Sequence, residues 1–358
     1  MSEPESAGRK RHAGPGSGPG GAPTAIALSP ILSARYRARD LERIRAAAPG
    51  ARLVMVSVEG LADGPVDDVE VMLRGWLSSE AFDRLLARAP RMSWVHSATS
   101  GVERALTPAA LDRGLVVTNA RGVFSRPIAE YVLMMILAIS RRLPQLLELQ
   151  RERTWQPLEG TELRDVTVGI VGLGSIGRAV GALATSFGCR VIAVRRRTHD
   201  RFDPSDQEDD EPSFGPVALD RVGGPDTLTA LLSESDFIVL AAPLTPETEE
   251  MINDETLAMV KPGAWLINVA RGRLIDERAL LRALRDGHLG GAVLDTFRDE
   301  PLPPMSSFYD LPNVIVTPHT AWSSGRVLDR SVELFCDNLR RFAAGEPLLN
   351  VVDPSAGY

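Results

Sequence analysis

Four stretches of the sequence combine an apolar run with side chains that can bind a nucleotide or move a proton. Residues 168–177 read VGIVGLGSIG, and three later apolar runs end in NVARG (268–272), DTFRDEP (295–301) and TPHT (317–320). Ligands of open parallel sheets gather at the carboxyl ends of the strands. We therefore expect an arginine, a carboxylate and a histidine to meet beside the glycine turn, which adds acid–base chemistry to a cofactor site.

The glycines of VGIVGLGSIG have G-x-G-x-x-G spacing between a strand and a helix, which is the context that dinucleotide binding requires. Gly172 permits a tight turn, Gly174 lets the backbone approach a pyrophosphate, and Gly177 lets helix and strand pack closely. Ser175 and Ile176 lie at the helix N-terminus, which favours an anion. The alternative is a glycine-rich turn with no ligand.

The next strand runs into arginines in VIAVRRRT (191–198), where an acid that binds the NAD ribose is expected about 20 residues along. A guanidinium binds a 2′-phosphate that a carboxylate would repel. We therefore predict that NADP is preferred over NAD, with Arg195 and Arg196 on the 2′-phosphate. The alternative is a solvated strand end in a site that accepts NAD.

Alternating strands and helices dominate the chain. The apolar runs TAIALS, ARLVMVSV, VEVMLRG, SWVHSAT and LVVTN predict strands in the first third, and VTVGIVGLG, RVIAVRR, DFIVLAAPL, AWLINVA, GGAVLDTF and NVIVTPH predict a second series. Helical patterns lie between them. This alternation predicts an α/β fold with parallel sheets covered on both faces.

Four further segments have compositions that predict a disordered tail, a long apolar helix, an exposed loop and a C-terminal helix. Residues 1–23 are rich in Gly, Pro, Ser and charge, which predicts disorder. Residues 125–153 predict a long apolar helix with Ser125 as N-cap and a break or kink at Pro144. Residues 199–226 are acidic and rich in Pro and Gly, which predicts an exposed loop. The chain ends in a helix closed by Gly345.

Composition narrows the classes of function. The 358 residues are 44% hydrophobic and 24% charged, which suits about two globular domains. A net charge of −7 argues against a nucleic-acid partner. No apolar run is long enough to span a bilayer, and the N-terminus lacks the apolar core of a secretory signal. Two scattered cysteines favour neither a disulfide framework nor a metal site, and indicate a cytoplasmic protein.

The order GLGSIG, PLTPET, NVARG, DTFRDEP, TPH resembles the D-isomer-specific 2-hydroxyacid dehydrogenase family, in its glyoxylate/hydroxypyruvate reductase-like form. HSATSGVE, VVTNARGV and PIAEYVL extend the resemblance, which covers about residues 50 to 350. It implies a catalytic set of Arg271, Glu300 and His319.

The chemistry accounts for these residue types. Reduction of a 2-keto acid adds hydride to the carbonyl carbon and a proton to its oxygen. His319 can supply that proton, because a histidine titrates near neutral pH. Glu300, hydrogen-bonded to the other ring nitrogen, would orient the imidazole and favour its protonated form. Arg271 can bind the substrate carboxylate, polarise the carbonyl, or do both, because its fork matches paired oxygens.

The resemblance also implies the remaining binding positions. The loop at Ser100, Gly101 and Val102 would present backbone N–H groups to the substrate carboxylate, although it can also be a plain turn. Asp295 would hydrogen-bond the nicotinamide carboxamide. The backbone positions that would line the cofactor are Ala242, Pro243, Asn268, Val269 and Ala270. Trp322 departs from the expected pattern; it either faces the substrate or packs between domains.

The architecture that follows has two domains, one inserted in the other. Residues 24–120 and 321–358 form a flavodoxin-like substrate domain, 121–320 form a Rossmann dinucleotide-binding domain, and the cleft between them closes on substrate. The apolar helix predicts a homodimer. A dinucleotide-sensing corepressor and a formate dehydrogenase remain alternatives, which the Arg–Glu–His set and Glu300 disfavour respectively. The substrate, a small 2-keto or 2-hydroxy acid, cannot be named from the sequence.

Overall fold

A computed structural model describes residues 20–31, 36–196 and 217–354 of the chain. Residues up to Ala120 and from Leu328 onward form one compact unit, and Arg121–Val327 form a second unit inserted between them in the chain. Of the segment 1–23 that we predicted to be disordered, residues 1–19 lie outside the described part. Gly21, in the same segment, donates its backbone N–H to the carbonyl of Ala343 (2.7 Å).

Strands and helices alternate along both units. In chain order the elements are β1 (Ala25–Leu28), α1 (Ala38–Ala47), β2 (Arg52–Met55), β3 (Val69–Arg74), α2 (Ser79–Arg88), β4 (Trp94–Ser97), α3 (Pro108–Asp112), β5 (Val116–Thr118), α4 (Ser125–Ser140), α5 (Leu143–Arg151), β6 (Thr167–Val171), α6 (Ser175–Ser186), β7 (Arg190–Val194), β8 (Arg221–Gly223), α7 (Leu228–Glu234), β9 (Phe237–Leu240), α8 (Asp254–Ala258), β10 (Trp265–Asn268), α9 (Glu277–Arg285), β11 (Gly291–Leu294), β12 (Val314–Val316) and α10 (Val327–Ala344).

The first unit contains, within the described residues, a five-stranded sheet in the order β2-β1-β3-β4-β5. Each neighbouring pair is parallel. Side chains of α2, such as Phe82, pack on one face, and side chains of α1 and α10, such as Ile44 and Phe335, pack on the other. Burial on both faces explains why strands such as β1 are continuous apolar runs.

The second unit contains, within the same described ranges, a seven-stranded parallel sheet in the order β12-β11-β10-β9-β6-β7-β8. Between β6 and β9 the strand order reverses, which is the place where open sheets of this kind bind their ligands. The predicted fold class, two parallel-sheet α/β domains with one inserted in the other, is confirmed. In the described part of the chain, no helix is long and apolar enough to cross a membrane.

The predicted loop at 199–226 is wrong at one point. Residues 197–216 lie outside the described part, but residues 221–223 form β8, which pairs in parallel with β7 through Val222 and its neighbours. Val222 is exposed. Backbone pairing with β7 and an ion pair from Arg221 to Glu234 (2.7 Å) hold this edge strand, so its sequence needs no alternating apolar pattern.

The predicted long helix at 125–153 is two helices. Phe124 is the N-cap of α4 and Ser125 is its first helical residue, so the prediction of Ser125 as N-cap is wrong. The backbone N–H of Ser125 closes a turn on the carbonyl of Gly122 (3.2 Å). The helix breaks at Arg142, which adopts a left-handed conformation (φ 57°), and Pro144 follows in the first turn of α5, where proline is tolerated.

Candidate active site

The glycine turn at the carboxyl end of β6 has two glycines that the protein's own packing requires. Gly172 has φ +100°, and a Cβ there would lie 2.5 Å from the backbone nitrogen of Ala242. A Cβ on Gly177 would lie 2.1 Å from the carbonyl oxygen of Gly172. Both glycines therefore permit close backbone contact between β6, α6 and the loop after β9.

Gly174 differs from these two glycines. It is the N-cap of α6, its φ of −83° suits any residue, and a Cβ there would meet nothing within 4 Å. Packing against the described residues gives no reason for a glycine at this position. A glycine is needed here if the backbone must lie against a pyrophosphate at the helix N-terminus. The turn therefore fits a dinucleotide.

A Gly174→Ser substitution separates the two explanations. Serine is a better helix N-cap than most residues, so we expect the melting temperature to hold or rise slightly. We expect the dissociation constant for NADPH to rise about 10-fold or more, because a side chain would occupy the space next to the phosphates. Thermal scans and fluorescence titration measure the two quantities. Gly325→Ala, also in open space, is the control, and unchanged NADPH affinity in Gly174→Ser would contradict this interpretation.

The two arginines of the cofactor prediction lie at the carboxyl end of β7. Arg195 is half-buried and donates its backbone N–H to Gly223 of β8 (3.0 Å), and Arg196 is exposed. Glu247, in the loop after β9, lies close enough to interact with Arg196. Hydrogen bonds from Thr245 and the backbone, together with the charge of Arg196, hold the pKa of Glu247 below its usual value. The strand end is thus basic with one acid nearby.

The backbone positions predicted to line the cofactor follow β9 and β10. Ala242, Val269 and Ala270 are buried, whereas Pro243 is exposed. The amide of Asn268, fully buried, shapes the turn after β10. Its Oδ1 accepts the N–H of Ala270 (3.1 Å), and its Nδ2 donates to the backbone carbonyl of Arg271 (3.0 Å). This role of the Asn268 side chain was missed by sequence reasoning.

Glu300 and His319 lie side by side at the carboxyl ends of β11 and β12. The Oε2 atom of Glu300 lies 2.8 Å from Nδ1 of His319, and its Oε1 accepts the backbone N–H of Phe297 (3.0 Å). Partial burial alone would raise the pKa of Glu300. The two hydrogen bonds, with the charges of His319 and Arg271, hold that pKa below its ordinary value. The imidazole therefore faces an ionised carboxylate, which leaves its Nε2 atom for other chemistry.

Arg271 belongs to the same cluster, since its charge contributes to the low pKa of Glu300. It follows the turn after β10, and its guanidinium donates from Nη1 to the carbonyl of Ala270 (2.8 Å). The next residue, Gly272, lies so close to the Glu300 loop that a Cβ would be 1.9 Å from the carbonyl carbon of Phe297. This close approach of the two loops brings the arginine towards the carboxylate.

A pH-dependent contribution to stability follows from the lowered pKa of Glu300. A carboxyl whose pKa is lower in the folded state stabilises the fold above its unfolded pKa, about 4.3, and loses that contribution as the pH falls through the folded value. We expect the melting temperature of the wild type to exceed that of Glu300→Gln most at pH 6 and the gap to narrow below about pH 4. A gap that stays constant down to pH 3 in thermal scans would contradict this assignment.

Asp295, at the carboxyl end of β11, is buried and its carboxylate faces the turn that carries His319. Its Oδ1 accepts from the Thr317 hydroxyl (2.6 Å) and from the Thr320 N–H (2.8 Å), and its Oδ2 accepts from the Ala321 N–H (2.9 Å). These contacts were not expected from the sequence, which predicted a bond to the nicotinamide carboxamide instead. That predicted bond stays a prediction.

The predicted carboxylate-binding loop belongs to the first unit, after β4. Thr99 donates its hydroxyl to the carbonyl of Gly101 (2.7 Å), and Asn119 donates Nδ2 to the carbonyl of Ser100 (3.0 Å). Within the described ranges, the backbone N–H groups of Ser100, Gly101 and Val102 donate no hydrogen bond to the backbone. Side-chain hydrogen bonds thus help to shape the loop, together with the backbone bond from the N–H of Ala120 to the carbonyl of Thr99 (3.2 Å). Trp322, in the second unit, is half-buried.

Known proteins resemble this chain in sequence. Residues 133–321 match the family model of the D-isomer specific 2-hydroxyacid dehydrogenase, NAD binding domain. A glyoxylate reductase of Korarchaeum cryptofilum is 32% identical over 320 residues, which cover 88% of this chain and 90% of that protein.

Solved structures resemble this chain in fold. A D-isomer specific 2-hydroxyacid dehydrogenase from Xanthobacter autotrophicus Py2, in complex with NADPH and MES, superimposes with a TM-score of 0.78 at 32% identity, covering 94% of this chain and 100% of that one. An NADPH-dependent glyoxylate/hydroxypyruvate reductase from Sinorhizobium meliloti, in complex with NADP and sulfate, does so with a TM-score of 0.74 at 27% identity and the same coverage.

Proposed function

The chain belongs to the D-isomer-specific 2-hydroxyacid dehydrogenase family and is an NAD(P)-dependent oxidoreductase, and we propose that it reduces small 2-keto acids with His319 as the acid/base. The observation that carries the proposal is the 2.8 Å contact between His319 and Glu300 beside Arg271. Glyoxylate and hydroxypyruvate are the first substrates to test, because related proteins are a glyoxylate reductase and a glyoxylate/hydroxypyruvate reductase.

The three residues have distinct tasks in the proposed mechanism. Arg271 binds the substrate carboxylate through its paired N–H donors and polarises the neighbouring carbonyl. Glu300 fixes the imidazole through Nδ1, so that Nε2 of His319 gives a proton to the carbonyl oxygen in reduction and takes it back in oxidation. When bound, the reduced nicotinamide supplies the hydride to the carbonyl carbon.

The cofactor we propose is NADP in preference to NAD. The pyrophosphate would be held by the glycine turn and the start of α6, at Gly172, Gly174, Ser175, Ile176 and Gly177. The 2′-phosphate would lie against Arg195 and Arg196, which end β7 in place of an acid. The backbone at Ala242, Pro243, Val269 and Ala270 would line the rest, with Asp295 near the nicotinamide. Two relatives solved with NADPH or NADP support this preference.

The substrate side of the proposal involves the first unit and Trp322. The Ser100–Val102 loop offers N–H groups to the substrate carboxylate. We assign residues 24–120 and 321–358 to substrate binding and 121–320 to cofactor binding. Trp322 would limit the size of the 2-substituent.

A panel of 2-keto acids with both cofactors tests the proposed function. Purified protein is mixed with glyoxylate, hydroxypyruvate or a bulkier 2-keto acid, and loss of NADPH or NADH absorbance is followed. We expect turnover with at least one acid, a D-2-hydroxy product by chiral chromatography, and higher efficiency with NADPH. Cofactor binding without turnover on any of these acids would refute the proposed substrate class.

We also propose that the protein is a cytoplasmic homodimer. The helix α5 has no buried residue, and its leucines Leu143, Leu146 and Leu147 are exposed, as is Met134 of α4. Apolar surface of this kind marks an interface more often than a free face. Both cysteines are free, which suits a reducing compartment. A monomeric mass by light scattering would exclude the dimer.

A further inference from the structure

His319 lies in a strained turn. Its backbone φ is +49°, a region that residues with a Cβ rarely adopt. Its N–H donates to the carbonyl of Thr317 two residues earlier (3.0 Å). Such a conformation persists only where the surroundings hold it in place, so contacts outside the turn must fix the imidazole's position.

Asp295 supplies part of that hold from both sides of the histidine. Its carboxylate accepts the Thr317 hydroxyl before His319 and the N–H groups of Thr320 and Ala321 after it, at 2.6 to 2.9 Å. The carboxylate is buried, so these bonds form away from bulk water. Among the described residues, a second side chain also contacts the Thr317 hydroxyl.

That side chain is Tyr131 of α4, whose hydroxyl lies 2.7 Å from the Thr317 hydroxyl. The Thr317 hydroxyl has one hydrogen, which it donates to Asp295, so the Tyr131 hydroxyl is the donor to Thr317. Burial, opposed by the bond to Thr317 and aided by the charge of Asp295, raises the pKa of Tyr131 to about 12. The chain of donors therefore has one direction, from α4 into the His319 turn.

We propose that Tyr131 and Thr317 are positioning residues for the acid/base histidine, acting as one hydrogen-bonded chain through Asp295. This inference rests on the proposed role of His319. The chain joins a helix packed on α6 to the turn that presents the imidazole, so it fixes the turn against a rigid element rather than against a loop. Losing either hydroxyl leaves the remaining partners unsatisfied and lets the turn shift.

Steady-state kinetics of Tyr131→Phe, Thr317→Val and the double variant test the chain. We expect each single variant to lower kcat about 5- to 20-fold, since small misplacements of catalytic groups are costly. We expect the dissociation constant for NADPH to change less than about twofold, because the glycine turn and the end of β7 are untouched. The double variant should be within about twofold of the worse single one, since the two hydroxyls act in series. Thr317→Ser keeps the hydroxyl, so its kcat should be close to that of the wild type and above that of Thr317→Val.

A control variant tests whether the loss of kcat is specific to the Tyr131–Thr317 hydrogen bond. Tyr36→Phe removes another tyrosine hydroxyl bond, from Tyr36 to the carbonyl of Ser29 (2.8 Å) in the first unit, and should leave kcat unchanged. If Tyr131→Phe unfolds, Thr317→Val and Thr317→Ser alone decide. A wild-type kcat in Tyr131→Phe or Thr317→Val, or losses that multiply in the double variant, would overturn the inference. A His319→Gln variant with normal turnover would instead overturn the proposed function, so the two failures are distinguishable.

Discussion

Replacing His319 by glutamine should lower turnover of a 2-keto acid by at least about 100-fold, which is what a general acid contributes. Glutamine keeps a polar side chain of similar reach but cannot hold and release a proton near neutral pH. NADPH binding should change less than about twofold, because the groups proposed to hold its phosphates lie at other strand ends. Single-turnover kinetics and fluorescence titration measure the two effects separately.

His288→Gln is the matched control, since it makes the same exchange after α9. It should leave kcat within about twofold of the wild type, because its backbone carbonyl accepts the N–H of Gly263 and, among the described residues, no hydrogen bond or ion pair joins it to the catalytic set. Turnover close to normal in His319→Gln would remove the histidine from the mechanism. If both NADPH binding and turnover are lost, the substitution disturbs the cofactor site instead.

Replacing both Arg195 and Arg196 by serine should lower kcat/KM with NADPH by about 10- to 100-fold, the range expected when charge-assisted hydrogen bonds are lost. Efficiency with NADH should stay within about threefold, because NADH has no 2′-phosphate to lose contact with. The ratio of the two efficiencies is the quantity to measure. It should also fall with added salt in the wild type, since both side chains are at least partly exposed.

The control removes the same charge elsewhere in the second unit. Arg278→Ser with Arg285→Ser, both exposed on α9, alters the net charge equally and should leave the cofactor ratio unchanged. A double variant at Arg195 and Arg196 that still prefers NADPH would show that other groups select the phosphate. Wild-type protein that uses NADH as well as NADPH would refute the preference before any substitution is made.

Much of the fold was predictable because buried parallel strands leave a plain signature. Strands covered on both faces, such as β1 and β9, are short unbroken apolar runs between turn residues. The edge strand β8 was not predictable, since its pairing with β7 uses backbone groups and its side chains are mostly exposed. The helix start at Ser125 was misplaced because a glycine turn, rather than a side-chain cap, begins α4.

The neighbouring positions of Glu300 and His319 were predictable for a geometric reason. Each follows a strand, and β11 and β12 are adjacent parallel partners whose carboxyl ends meet at one edge. The contact between Tyr131 and Thr317 was not predictable, since 186 residues separate them and nothing local to either marks a partner. Only the packing of α4 in three dimensions brings the two hydroxyls together.

The strand order of the second unit has a consequence for how its specificity can change. The proposed phosphate-binding residues follow β6 and β7, and the proposed proton-transfer residues follow β10, β11 and β12. Five strand spacings, about 24 Å at 4.8 Å each, separate β7 from β12. Over that distance substitutions combine additively. Cofactor choice and proton transfer are then independent traits, so either can drift, or be redesigned, while the other stays fixed.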